Sequence, residues 1–194
     1  MSKAKYTKII GANPANGRSE LDFYPTPPEV TFALLNFIGI PTNKVIWEPA
    51  CGEMDMVNAM KSKGYSVIAT DISMGQDFLT AQLPECDWII TNPPFVVSDK
   101  FILRCAEHGK PFAMLLKSQY WHAKKRYGLF EKIRPTFVCP LTWRPDFQFK
   151  KHEKRRAPLM DVQWCIWYPP YNQKTFFLPI NKEIKEVSNE SYKS

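Results

Sequence analysis

"CDWIITNPPF", residues 86 to 95, opens as a buried strand and closes on an asparagine, two prolines and a phenylalanine. The run Trp88, Ile89, Ile90 has the length and β-branched character of a strand buried on both faces. Prolines cannot donate to a ladder, so the chain must leave the sheet at residue 92. Asn92 brings an amide oxygen, while Pro93 and Pro94 lack N–H groups, so the turn presents acceptors in a fixed backbone geometry. Such a turn suits a substrate NH2 group. An aromatic or amide amine is a poor nucleophile because its lone pair is delocalised; the Asn92 oxygen and the Pro93 carbonyl would together draw on both its hydrogens and free that pair. Phe95 would stack on the planar ring that bears the amine.

Working outward, apolar strands alternate with helical segments. "PPEVTFALLNFI" reads as a helix opened by Pro27 and Pro28, with Val30, Leu34, Leu35 and Ile38 on one face. "KVIWEPACG" is a strand running into a tight turn, "DMVNAMKSKG" a helix closed by Gly64, and "YSVIATDI" a second strand. After the opening stretch come "DKFILRCAEHG" as a helix and "PFAMLLKS", "TFVCPL" and "VQWCIWYPP" as strands. The alternation predicts an α/β fold with a mainly parallel sheet and helices on both faces. Ligands in such sheets sit beyond the carboxyl ends of the strands. Glu48, Asp71 and Asn92 each end an apolar strand there.

The turn after the first strand, "EPACGEMDM", carries Gly52 and three acids, Glu48, Glu53 and Asp55. Asp71 follows Gly52 by 19 residues, close to the roughly 20 expected of an acid that accepts both hydroxyls of an adenosine ribose. A pyrophosphate would be repelled by so many carboxylates, whereas a cationic adenosine cofactor would not. S-adenosyl-L-methionine, with its sulfonium centre, meets that description. Asp77 would accept from the adenine amino group with Phe78 over the ring. The plainer reading of Asp71 is a helix N-cap.

The 194 residues carry 44% hydrophobic and 23% charged residues, a balance that builds one core-bearing domain, expected over residues 21 to 180. Residues 1 to 20 read as a flexible arm and residues 181 to 194 as a tail. No run approaches the ~18 apolar residues of a membrane span, and no signal peptide is legible, so a cytoplasmic protein without a membrane partner is expected. The five cysteines have no CxxC spacing and read as reduced core thiols, and neither His122 nor His152 is paired with metal ligands, so no metal site is expected.

The net charge of +7 is concentrated in the middle of the chain. Residues 117 to 134 hold six cations against one acid, and the basic insertion at residues 144 to 158 holds six against two. A polyanion is the natural partner. Tyr120, Trp121, Lys124, Lys125 and Arg126 read as one jaw of a nucleic-acid site, with Trp121 equally suited to the core. Arg144, Lys150, Lys151, Lys154, Arg155 and Arg156, interleaved with Phe147 and Phe149, read as the other.

"TNPPF", with "EPACG" upstream, "ATDI" and "GQDFL" between, and "DFYPTP" before the first strand, resembles the amino-group DNA methyltransferases that act on adenine. The resemblance covers residues 22 to 118 and, more loosely, the late "DVQWCIWYP" strand. It implies a Rossmann-like, seven-stranded class I methyltransferase sheet and S-adenosyl-L-methionine as cofactor. Tyr24, Thr26 and Pro27 would line the methionine end of the cofactor with Glu48 and Gly52; Asp71, with its neighbour Ile72, would hold the ribose, and Asp77 and Phe78 the adenine. Asn92, Pro93, Pro94 and Phe95 would be catalytic. The motif order is similar to the gamma arrangement, and the compact size to stand-alone phage or prophage enzymes.

The sequence departs from that family in two ways. Met54 stands where the family's second turn glycine is expected; a side chain at φ > 0 would cost on the order of 1 kcal/mol. No separate recognition domain is expected after the last strand, so specificity would fall to the basic insertion. RNA adenine or protein glutamine remain as alternative substrates, and a non-catalytic DNA-binding protein on the same scaffold as an alternative class.

Overall fold

A computed structural model describes residues 24–150 and 160–182. The expected arm at residues 1 to 20 lies outside the described residues, as do most of the tail and, of the basic insertion, residues 151–158. Helix α1 (Pro28–Ile38) follows an N-terminal segment and ends on Gly39, whose left-handed backbone (φ 58°) turns its N–H onto Leu35 O at 2.9 Å. Then come β1 (Val45–Glu48), α2 (Asp55–Ser62), β2 (Ser66–Ala69), a 3-10 turn (Ile72–Met74) and β3 (Trp88–Thr91). The second half runs α3 (Ser98–His108), β4 (Phe112–Lys117), a 3-10 turn (Lys124–Arg126), α4 (Tyr127–Lys132), β5 (Phe137–Pro140), β6 (Val162–Trp167) and β7 (Phe176–Phe177).

The strands form one seven-stranded sheet in the order β2-β1-β3-β4-β6-β5-β7. β6 runs antiparallel to β4 and to β5, and every other pairing is parallel. The mainly parallel sheet expected from the alternation is therefore present. The two-residue β7 supplies a strand that the apolar pattern alone did not mark.

Alternate strand residues feed two cores. Ile46, Ile90, Leu115, Trp164 and Ile166 face α1 and α2, whose Leu34, Met56 and Met60 are buried against them. Trp47, Ile89, Met114 and Trp167 face α3, with Phe101, Ile102 and Cys105. Trp164 Nε1 donates to Val30 O at 3.0 Å, tying β6 to the first helix. All five cysteines are free and buried. No helix among the described residues is long and apolar enough to cross a membrane.

β1 and β2 lie on one side of the point where strand order reverses and β3 lies on the other. That places the exits of β1 and β3 side by side at one rim, where a crevice opens beyond the carboxyl ends of the strands.

Candidate functional site

At the exit of β3, Asn92 Nδ2 donates to Thr26 Oγ1 at 2.9 Å and to the Tyr24 carbonyl at 3.1 Å. A carbonyl can only accept, so the amide nitrogen must be the atom facing Tyr24, which fixes the orientation of the amide. Both N–H groups are thus used by the segment before α1, and Oδ1 lies on the opposite side. The next carbonyls are drawn into the start of α3: Pro94 O accepts from Val97 N at 3.1 Å and Phe95 O from Ser98 Oγ at 2.9 Å. Neither Asn92 Oδ1 nor the Pro93 carbonyl takes part in these hydrogen bonds. The half-buried Phe95 ring lies 5.7 Å from that of Tyr24, tilted by 34°, with Lys117 Nζ 4.7 Å from its centroid. Lys117, at the end of β4 and so on the same rim, is a neighbour that sequence reading did not single out.

The exit of β1 is built differently. Glu48 is 1% exposed; its Oε1 accepts from Ala50 N at 3.0 Å, and its carboxyl faces the buried Thr91 hydroxyl at the end of the adjacent strand. Burial pushes the Glu48 carboxyl up to about 8, with the nearby Asp71 charge adding to the effect. Cys51 N donates to Thr70 O and Thr70 N to Glu48 O, both at 3.0 Å, lacing the β1 and β2 exits together. Gly52 (φ 47°) and Met54 (φ 69°) are left-handed, and Met54 is the only non-glycine residue of positive φ among the described residues. The strain expected at Met54 is therefore present.

Asp71 joins the two turns. Its Oδ2 accepts from Gly52 N at 2.9 Å and its Oδ1 from Ser73 N at 2.8 Å. Burial by itself would raise this carboxyl, but the N–H groups of Ser73 and Gly52 outweigh it and hold it below the usual range. It caps the 3-10 turn, as the plainer reading had it, and sits beside Gly52 as the cofactor reading requires. The adjacent Ile72 and Met74 are 72% and 53% exposed, an apolar face next to this acid. Asp77 accepts from Leu79 N at 3.0 Å and lines a cavity of about 430 Å3 with Ile68, Thr70, Gly75 and Gln76. Phe78 requires a correction: it is 2% exposed, its ring 4.6 Å from Phe101 and 5.2 Å from Trp47, so it is a core residue and does not offer a face to a ligand.

The basic residues divide. Tyr120 is also corrected from surface to core: it is 4% exposed, its hydroxyl donates to Asp99 Oδ1 at 2.5 Å, and the Arg126 guanidinium covers its ring at 3.9 Å. Arg126 and Lys125 are themselves paired with Asp99, at 3.0 and 3.5 Å. Lys124 stands exposed beside Trp121 on a cavity of about 380 Å3 that Tyr127 and Phe130 also line. Arg144 pairs with Asp161 at 2.7 Å, closing the base of the insertion. Lys150 reaches back to the acidic turn, 3.1 Å from Glu53 Oε2 and 2.5 Å from Asp55 Oδ1. Lys151, Lys154, Arg155 and Arg156 lie outside the described residues. Phe147 is buried in the core beside Tyr24, its ring centroid 6.1 Å away, and Phe149 is more exposed.

Asp55 Oδ2 is a buried acceptor atom without a partner in the β1 turn, close to the buried Glu48 carboxyl. Unpaired buried acceptors are costly in a folded chain and favour a ligand that donates. The donor set fits a cationic cofactor such as S-adenosyl-L-methionine, whose ammonium such oxygens would hold, with Asp71 and Gly52 at the ribose.

No protein-family model matches the chain, and no curated protein matches it. Solved structures do. A Listeria monocytogenes protein assigned as a class I S-adenosylmethionine-dependent methyltransferase is 17% identical, with a TM-score of 0.58 over 86% of this chain and 68% of that one. A Pyrococcus horikoshii protein assigned as an RNA methyltransferase is 15% identical, with a TM-score of 0.58 over 84% of this chain and 98% of that one. The methyltransferase subunit of a type I restriction-modification system from Streptococcus thermophilus is 14% identical, with a TM-score of 0.53 over 81% of this chain and 47% of that one. At such identities the likeness is one of architecture: the chain has the Rossmann-like fold of the class I methyltransferases.

Proposed function

We propose that the protein transfers a methyl group from S-adenosyl-L-methionine to the exocyclic amino group of adenine in DNA. The observation that carries this reading is the Asn92 turn. Its two N–H groups are spent on Tyr24 and Thr26 and its prolines donate nothing, so it meets a ligand with acceptors alone. A neutral amide and a carbonyl would polarise both N–H bonds; as the C–N bond formed the methyl–sulfur bond would break to release S-adenosylhomocysteine, and the surplus proton on nitrogen would pass to water.

The cofactor would supply the methyl group on a positively charged sulfur. Glu48 and Asp55 would hold its ammonium, and Asp71 and Gly52 its ribose. Ile72 would lie against the adenine ring, with Asp77 on its amino group. Next to an ammonium, Glu48 would ionise readily, since an opposite charge offsets the burial that now keeps it protonated. Phe95 and Tyr24 would stack on a target base flipped out of the helix, at a cost of a few kcal/mol. The exposed cations Lys124 and Lys150, with the remainder of the basic insertion, would contact phosphates.

Radiolabelled cofactor offered to DNA, RNA and a protein lysate in parallel tests the substrate. Labelling of DNA is expected; labelling confined to RNA or to protein would overturn the assignment.

A further inference from the structure

Lys150 is separated by 97 residues from Glu53, yet its ammonium sits on the two carboxylates that open α2, Glu53 at 3.1 Å and Asp55 at 2.5 Å. The position is set by the fold. Three residues earlier Phe147 is 6% exposed in the core, Gln148 N donates to Asp146 Oδ1 at 2.9 Å, and Arg144 is fastened to Asp161. The turn that receives Lys150 is the one with a spare acceptor, Asp55 Oδ2, close to the buried Glu48 carboxyl. A cation from the basic insertion thus occupies part of the place where a ligand ammonium would be held. Its pairing with Asp55 and Glu53 raises the pKa of Lys150, so the group stays charged at any physiological pH.

We propose that Lys150 is a built-in competitor for the ammonium group of the cofactor, and that nucleic-acid phosphate relieves the competition by drawing Lys150 away from Glu53 and Asp55. This rests on the functional reading above. The pair of Lys150 with Glu53, 37% and 61% exposed, is weak and readily exchanged, whereas Asp55, 13% exposed, holds the lysine more firmly; a duplex offers Lys150 a row of phosphates in exchange for the two carboxylates. With Lys150 on a phosphate, Asp55 has both oxygens available to the cofactor. Linkage then requires the reverse effect, cofactor favouring nucleic-acid binding by the same factor. The stem is suited to this because it touches both halves of the site, through Lys150 on the cofactor turn and through Phe147 on Tyr24 beside Phe95.

The test uses S-adenosylhomocysteine, which keeps the ammonium but has a neutral sulfur, titrated calorimetrically into the full chain with and without a mixed-sequence DNA duplex. DNA is expected to tighten wild-type binding by about tenfold, within the usual range of coupling between sites. Lys150→Met should bind about as tightly without DNA as the wild type does with it, and should gain nothing further from DNA. Lys150→Arg should restore the weak, DNA-responsive state. Lys63→Met, which removes a charge from the far end of α2, should behave as wild type and excludes a general charge effect. Measurable wild-type binding that Lys150→Met leaves unchanged or weakens would overturn the inference alone. No binding by any of the proteins, with or without DNA, would overturn the functional reading and the inference with it.

Discussion

The turns that leave β1 and β3 lie at the same rim of the sheet and treat their polar atoms in opposite ways. The β3 turn commits its side-chain amide: Asn92 gives both N–H groups to the N-terminal segment, and the prolines bring no donor. The β1 turn leaves an acceptor unspent, with Asp55 Oδ2 buried and unpaired, and it carries a strained Met54. In one turn the amide is already held without a ligand, the condition the proposed role in aligning an amine would need. The other holds unfavourable contacts that a bound cation would remove. The difference separates alignment from affinity, and single substitutions can test whether the two are separable.

The largest effect is expected at the β3 turn. Asn92→Ala should lower kcat by about a hundredfold or more, the scale seen when one preorganised group of this kind is removed, while the cofactor dissociation constant stays nearly unchanged. Single-turnover assays with parallel calorimetry would show this. Glu48→Gln should do the reverse, weakening cofactor binding by about tenfold to a hundredfold, as expected for loss of a charge-assisted hydrogen bond. If both substitutions struck binding and rate alike, the contrast between the turns would fail.

A smaller effect concerns pH. Glu48 is held protonated in the folded chain up to about 8, whereas in the unfolded chain it ionises in the ordinary carboxylate range. Its contribution is therefore full in acid. It is lost as pH rises from that range toward 8, by up to about 1.4 kcal/mol per pH unit for one proton. Thermal melts of Glu48→Gln against wild type at pH 5 and pH 8 should show the variant gaining relative stability at the higher pH. The smallest effect is at Met54. Met54→Gly should stabilise the chain by about 1 kcal/mol, relief of the left-handed strain outweighing the added freedom of glycine when unfolded. Met54→Ala should not.

Much of this rim was readable in the sequence because strand ends and turn residues are local features. The prolines after Ile90 and Thr91 place the β3 exit, and the positive φ at Met54 follows from a turn that needs two left-handed residues. What could not be read were outcomes of packing. Phe78 and Tyr120 have the composition of ligand contacts but are claimed by Trp47, Phe101 and Asp99, neighbours far away in the chain. Lys150 was counted as a phosphate contact, and only the fold shows that it reaches an acidic turn near the other end of the chain. The strand at Phe176–Phe177 has two residues and no periodicity to read; β5 alone gives it a ladder. The helix at Tyr127–Lys132 is similarly too short for its pattern to stand out from the basic stretch around it.

The atom that receives the methyl group tests the central idea most directly. DNA incubated with the protein and labelled cofactor can be digested to nucleosides and the labelled product resolved by mass spectrometry. A turn that grips both hydrogens of an exocyclic amine predicts label on the N6 nitrogen of deoxyadenosine. Label on a ring nitrogen, a ring carbon or the sugar would contradict it.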